Sequence, residues 1–229
     1  MIQNLKNKVI VSVQAQGNEP LNKIEHLLAI CQSVISGGAG GLRLCGIDNI
    51  KAINRNVQVP IIGLTKLEPT PINFLDSVYI TPTVKDLEGL LKTGITFIAI
   101  DGTSRERRDG ETLKDQIELV KQSKKIVVAD ISTLEEGINA EKLGADIVST
   151  TLSGYTKETR FKVNEGPDFQ LLNNLVNSLK VPVILEGRIW YPEEVEQAFQ
   201  MGAHAVVIGT AITRPHVITK RFLSGISKS

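Results

Sequence analysis

The sequence is poor in features that would place it in several large protein classes. Two cysteines, Cys31 and Cys45, in 229 residues are too few for a disulfide framework and match no zinc spacing. Both read as small buried hydrophobes. Excess charge is missing too, since 26 Lys and Arg against 25 Asp and Glu leave a formal charge of +1. A general nucleic-acid binder would carry a basic face or tail, so that class is excluded, whereas a local cationic pocket is not. No apolar run approaches the roughly 20 residues of a membrane span, so no membrane partner is expected. His26, His204 and His216 are scattered without metal-ligand spacing, and no metal site is assigned. Met1 to Lys8 is polar and short, without the apolar core of a secretory signal. A cytoplasmic protein is the expectation.

What is present is a hydrophobic fraction of 41%, enough for a sizeable core. The length suits one α/β barrel or one doubly wound domain, with two small domains as the alternative. Short β-branched runs recur at Val9–Gln14, Gly41–Leu44, Pro60–Lys66, Phe97–Asp101, Lys125–Asp130, Asp146–Thr151, Val183–Glu186 and Ala205–Gly209. Segments with helical periodicity lie between them, among them Leu21–Ser36, Val84–Lys92, Thr112–Ser123, Leu134–Leu143, Glu193–Met201 and Pro215–Leu223. Strand followed by helix, repeated, predicts a parallel sheet with right-handed crossovers. Gly94, Gly144 and Gly202 stand where helices should end. Val59-Pro60-Ile61-Ile62 and Val181-Pro182-Val183-Ile184 echo each other four units apart.

Eight strands favour closure: an α/β fold, a (β/α)8 TIM barrel, with residues 1–229 as its single domain. An open doubly wound sheet usually has a Gly-rich turn after its first strand. Ala15-Gln16-Gly17-Asn18-Glu19-Pro20 does not fit that pattern. Ser77–Pro82 also looks strand-like and is read as an extra piece in the connection after the third strand.

The runs end in Gln14, Arg43, Lys66, Asp101, Asp130, Thr151, Glu186 and Gly209. Strand alternation puts Leu64 with Lys66, Val128 with Asp130, and Ile184 with Glu186 on one face. If that face is the interior, a charged layer caps apolar ones at the end where barrel active sites lie. Gly187-Arg188 after the seventh strand and Gly209-Thr210 after the eighth suit a phosphate, because glycines expose backbone N–H groups and barrels often bind phosphate there. Arg214, just beyond, could reach the same ligand. Arg105-Glu106-Arg107-Arg108-Asp109 reads as a solvated loop from which Arg107 could reach a ligand.

Lys66 and Glu186 come from strands facing each other across the barrel. Two such groups suit removing a proton from one face of a carbon and returning it to the other, as in epimerisation beside a carbonyl. As a base, Lys66 needs its pKa lowered from around 10.4 by burial or by cations such as Arg43, against the pull of Glu186 and Asp130.

The sequence resembles the bacterial N-acetylmannosamine-6-phosphate 2-epimerases. The resemblance is carried in order along the chain by Ser12-Val13-Gln14-Ala15, Pro60-Ile61-Ile62-Gly63-Leu64-Thr65-Lys66, Tyr79-Ile80-Thr81-Pro82-Thr83, Ala129-Asp130-Ile131-Ser132-Thr133, Thr150-Thr151-Leu152-Ser153-Gly154-Tyr155-Thr156, Glu186-Gly187-Arg188-Ile189 and Val207-Ile208-Gly209-Thr210-Ala211-Ile212. It implies a barrel of the ribulose-phosphate-binding type. It also implies interconversion of N-acetylmannosamine 6-phosphate and N-acetylglucosamine 6-phosphate in sialic acid catabolism. Lys66 would be the base and Glu186 the partner acid. Gln14, Arg43, Asp130 and Arg214 would bind and orient substrate, and Gly187, Arg188, Gly209 and Thr210 would take the phosphate. Such enzymes use no cofactor and are often homodimers. Leu44-Cys45 and Trp190-Tyr191 depart from the expected pattern near the substrate loops. Two other readings stay open: a Schiff-base aldolase with Lys66 as nucleophile, and a non-catalytic barrel that binds a sugar phosphate.

Overall fold

Eight parallel strands form a closed barrel in chain order. They are β1 (Lys8–Val13), β2 (Gly41–Cys45), β3 (Ile61–Leu64), β4 (Phe97–Asp101), β5 (Ile126–Asp130), β6 (Ile147–Ser149), β7 (Val183–Glu186) and β8 (Ala205–Ile208). Val11 lies beside Ile208, which joins the last strand to the first. The helices are α1 (Ile24–Ser36), α2 (Ile47–Asn54), α3 (Val84–Leu91), α4 (Leu113–Gln122), α5 (Leu134–Leu143), α6 (Phe169–Ser178), α7 (Pro192–Gln200), α8 (Thr210–Thr213) and α9 (Pro215–Leu223). This computed structural model describes residues 1–226 except Gln16 and Pro69. Gln16 in the turn after the first strand and the Asp109 side chain lie outside the described residues.

Strand parity divides the core in two. Ile62, Leu64, Ala99, Val128, Ile184 and Val207 fill the barrel interior. Ile61, Ile98, Val127, Leu185 and Val206 pack outward against helix residues such as Leu87, Ile117 and Leu175. Both faces of each strand are therefore covered, which is why the strand runs are apolar nearly throughout. The interior parity also carries Arg43, Asp130 and Glu186 at the C-terminal rim.

Local chemistry sets the helix starts. Thr112 with Asp115 and Thr133 with Glu136 form reciprocal capping boxes on α4 and α5. Gly144 closes α5 at φ 106°, in the left-handed region that favours glycine. Glu136 does more than cap. Its buried carboxylate accepts from Ser132 N (2.8 Å), Ser132 Oγ (2.7 Å) and Thr133 N (3.1 Å), and also from Ser104 N (2.9 Å) in the loop after β4. Glu136→Ala strands those donors, and urea unfolding is expected to show a loss of about 2–3 kcal/mol.

Two helices absent from the sequence reading, α2 and α6, complete the alternation. α2 is rich in Ile and Asn, which are weak helix formers, and it is held by burial of Ile50 and Ile53. β3 ends at Leu64, earlier than expected, because the chain beyond it pairs elsewhere. Lys66 forms an isolated antiparallel bridge with Ile80, so Ser77–Pro82 is the extra piece anticipated after the third strand. The loop after β4 corrects the expectation of a solvated loop: Arg105 and Arg107 are turned inward. Arg107 donates to the carbonyls of Asp101 and Thr103 and is not on the wall of the cavity at the C-terminal rim.

Candidate active site

Lys66 and Glu186 open into one cavity of about 330 Å³ at the C-terminal rim. Its wall also includes Ser12, Gln14, Thr151, Tyr155 and Trp190, together with Gly187, Arg188, Gly209, Thr210 and Arg214. Gln14 donates through Nε2 to Ser12 Oγ at 2.9 Å. Its buried Oε1 has no partner among the described residues, so it can accept a hydrogen bond from a ligand.

Arg43 and Asp130 lie beneath the cavity wall. Arg43 is 1% exposed and Asp130 0%, and Nη2 meets Oδ2 at 2.5 Å. Arg43 Nε sits 3.2 Å from Glu186 Oε1. Thr151 Oγ1 lies 2.7 Å from Asp130 Oδ1 and 3.0 Å from Glu186 Oε2. One hydroxyl proton cannot serve both carboxylates. A protonated Glu186 resolves this, donating to Thr151 while Thr151 donates to Asp130.

The electrostatics agree with that arrangement. Burial pushes the Glu186 carboxyl above the usual carboxylate range and Asp130 adds to the push, while Arg43, Thr151 and Lys66 oppose it. Burial draws Lys66 below the ordinary lysine value, with Arg43 lowering it further. Cys45, Glu186 and Asp130 act the other way on Lys66. Burial also pushes the Cys45 thiol up, so at neutral pH it carries no charge with which to hold a proton on Lys66. Arg43 is held firmly charged by Asp130 and Glu186.

The two loops differ in how they face the cavity. Gly187 has φ 114° and open space where a Cβ would stand. Arg188 follows at φ 58°, and its guanidinium donates through Nε and Nη1 to the carbonyls of Gly166 and Ser153. Those bonds use two of its five guanidinium donors, so both the side chain and the main-chain N–H can meet a ligand. Gly209 packs on β1, where a Cβ would come within 3.2 Å of Ser12 Cβ. Arg214 pairs with Glu19 from the loop after β1. Among the described residues, no three His, Cys, Asp or Glu side chains converge as a metal cluster, and no helix is long and apolar enough to cross a membrane.

A family profile described as "Putative N-acetylmannosamine-6-phosphate epimerase" matches residues 27–228. The chain belongs to this family. Proteins named "Putative N-acetylmannosamine-6-phosphate 2-epimerase" are 47% identical over 97% of the chain and 98% of their own length in Clostridium perfringens, and 43% identical over 99% of both in Clostridioides difficile. The solved N-acetylmannosamine-6-phosphate 2-epimerase of Clostridium perfringens superposes with a TM-score of 0.92 at 45% identity, covering 98% of this chain and 96% of that one.

Within this epimerase-family barrel, the structure brings Lys66, Glu186, Gln14, Arg214 and the two glycine loops to one cavity, with Arg43 and Asp130 in its foundation. Sequence reasoning did not single out Ser12, Tyr155 or Trp190 as wall residues, nor Glu19 as the partner of Arg214. Ser12 could have been found, since it shares strand parity with Gln14. Glu19 had no such signal, because it meets Arg214 only through the fold.

Proposed function

We propose that this chain interconverts N-acetylmannosamine 6-phosphate and N-acetylglucosamine 6-phosphate by removing and returning the proton on C2. The observation that carries this reading is the shared cavity of Lys66 and Glu186, one drawn toward its neutral form and the other toward its protonated form. With the sugar open to its C1 aldehyde, Lys66 takes the C2 proton and the electron pair moves onto the C1 oxygen. Glu186 then returns a proton to the opposite face of C2 and the carbonyl re-forms. Arg43 supplies fixed positive charge near the developing oxyanion. The N–H groups around Gly187–Arg188 and Gly209–Thr210, with Arg214, take the phosphate and hold the sugar in register. Gln14 Oε1 accepts from a sugar hydroxyl or the amide N–H. Extension to sialic acid catabolism in the cytoplasm, and to a homodimer of single-domain subunits, is supported by the family resemblance.

Proton NMR in deuterated water with N-acetylmannosamine 6-phosphate tests the assignment. Deuterium at C2 and appearance of the gluco product are expected, and an unchanged substrate spectrum sinks it. A lysine held neutral also suits Schiff-base chemistry. Borohydride trapping separates the two, because a reduced adduct on Lys66 would favour the aldolase.

The pH dependence follows from the proton inventory. Forward turnover needs Lys66 neutral and Glu186 protonated. Reverse turnover needs the proton on Lys66 instead, which is the same total count, so kcat/KM is bell-shaped and alike in both directions. In Glu186→Gln the group that ionises at high pH is gone. The surviving activity rises with pH to a plateau, with no alkaline fall. Its midpoint lies at or slightly above the acid limb of the wild type, because glutamine is neutral as protonated Glu186 is. A retained alkaline limb in the steady-state profile would count against Glu186 as the acid.

A further inference from the structure

Lys66 stands beyond the last ladder residue of β3, so the barrel sheet does not by itself fix it. Its main chain is held by a strap returning antiparallel to it. Lys66 pairs with Ile80, Leu67 N donates to Tyr79 O at 3.2 Å, and Thr81 N donates to Thr65 O at 2.9 Å. Thr81 Oγ1 in turn donates to Ala99 O of β4 at 2.7 Å. The outer part of the strap, Phe74 to Tyr79, is gripped from β4 by one side chain. Arg105 donates through Nη1 to Phe74 O (3.0 Å), through Nε to Thr103 Oγ1 (3.0 Å) and through Nη2 to Asp101 Oδ2 (2.7 Å). Its guanidinium also lies 5.7 Å from the Tyr79 ring centre, and Tyr79 meets Phe74 edge to face at 6.2 Å.

We propose that Arg105 is a positioning residue for Lys66, clamping the Phe74–Tyr79 strap to the end of β4 and thereby fixing where the Lys66 side chain enters the cavity. Arg105 is 9% exposed and is not on the cavity wall, so it acts through the strap and not on substrate. Its three donor edges are used on three different targets, which a planar fork can satisfy at once and an ammonium cannot. The strap has a second tie, Lys157 N to Leu75 O at 3.0 Å, so loss of Arg105 loosens it without releasing it. An error near 1 Å at a reacting group costs about a hundredfold in rate. The proposal rests on Lys66 as base, and its test reads Lys66 both with and without turnover.

Arg105→Lys is the decisive variant, because it keeps the positive charge beside Asp101 and removes only the fork. Two measurements are made on the full chain. Steady-state epimerisation is expected to show kcat reduced by about tenfold to a hundredfold with KM within about twofold. Competitive acetylation of Lys66, read by mass spectrometry across pH, is expected to show its reactivity midpoint moving up toward an ordinary lysine as the side chain gains water. The charged or titratable groups facing Lys66 are Arg43 and Cys45 from β2, Asp130 from β5 and Glu186 from β7, and the variant changes none of them. An unmoved labelling midpoint overturns the proposal, whether kcat stays at wild type or falls only with a drop in urea midpoint. Absence of epimerisation in the wild type sinks the proposed function instead, and the labelling shift still decides the role of Arg105.

Discussion

Lys66→Met is expected to lower kcat by about 10²–10⁴-fold, the range for loss of a positioned general base, and to abolish C2 deuterium incorporation. KM should change little, because phosphate and hydroxyl contacts lie elsewhere on the cavity wall. The same substitution should leave stability unchanged or raise it. Lys66 is buried enough that its ammonium form is disfavoured in the fold, so at neutral pH the native state bears a cost that a methionine of similar length does not. The folded pKa lies below the unfolded one, so between the two the unfolded chain binds more protons and wild-type stability rises with pH. The stability gap between variant and wild type should therefore narrow as pH rises toward 10.5. Paired urea titrations at neutral and alkaline pH check this. Turnover retained within tenfold in Lys66→Met would remove the basis for two-group proton transfer, whatever the stability result.

The second large effect is on the foundation of the site. Asp130→Ala leaves the Arg43 guanidinium, 1% exposed, without its 2.5 Å partner. Among the described residues, Glu186 alone remains as a carboxylate paired with it, at 3.2 Å. Breaking a buried pair by removing one member costs about 3–5 kcal/mol, a large share of the roughly 5–15 kcal/mol that stabilises a domain. Activity falls with it for a separate reason. Loss of the Asp130 charge and release of Arg43 both favour ionised Glu186, so even the folded fraction has lost its acid. The double variant Arg43→Met, Asp130→Leu should recover most of the stability, since an apolar pair can replace a buried ion pair at little cost, and should recover no turnover. Urea unfolding of Arg43→Met, of Asp130→Leu and of the double closes the cycle. A loss under about 1 kcal/mol in Asp130→Ala would show the pair to be unimportant to folding.

Much of this arrangement was readable before any coordinates. Period-two alternation set Lys66, Asp130 and Glu186 on the interior parity, and the polar ends of the strand runs marked the rim of the barrel. The extra piece after β3 was visible in Ser77–Pro82 as a strand-like run, and its antiparallel pairing with Lys66 came only with the fold. Other features were not readable. α2 escaped notice because its Ile- and Asn-rich sequence has little intrinsic helical preference and owes its form to packing. The Arg105–Asp109 loop looked solvated because charge density in sequence is ordinarily a surface signal. Here Arg105 and Arg107 are turned inward and donate to main-chain carbonyls, the Thr103 hydroxyl and Asp101. Arg188 was expected in a phosphate loop, and the fold also makes its guanidinium brace two carbonyls of neighbouring loops, a role with no local signal in the sequence.

The amino-acid order alone determined the alternation of strand and helix, the face on which each strand residue lies, and the helix starts at Thr112 and Thr133, because each depends on residues a few positions apart. Only the tertiary structure decided what each charged group is for. Arg43 and Asp130 are 87 positions apart in the chain and meet because the barrel closes. Lys66 and Glu186 are shifted toward neutrality because elements distant in sequence exclude water from both. Desolvation and the choice of ionic partner are set by neighbours in space, and no local pattern of residues encodes them.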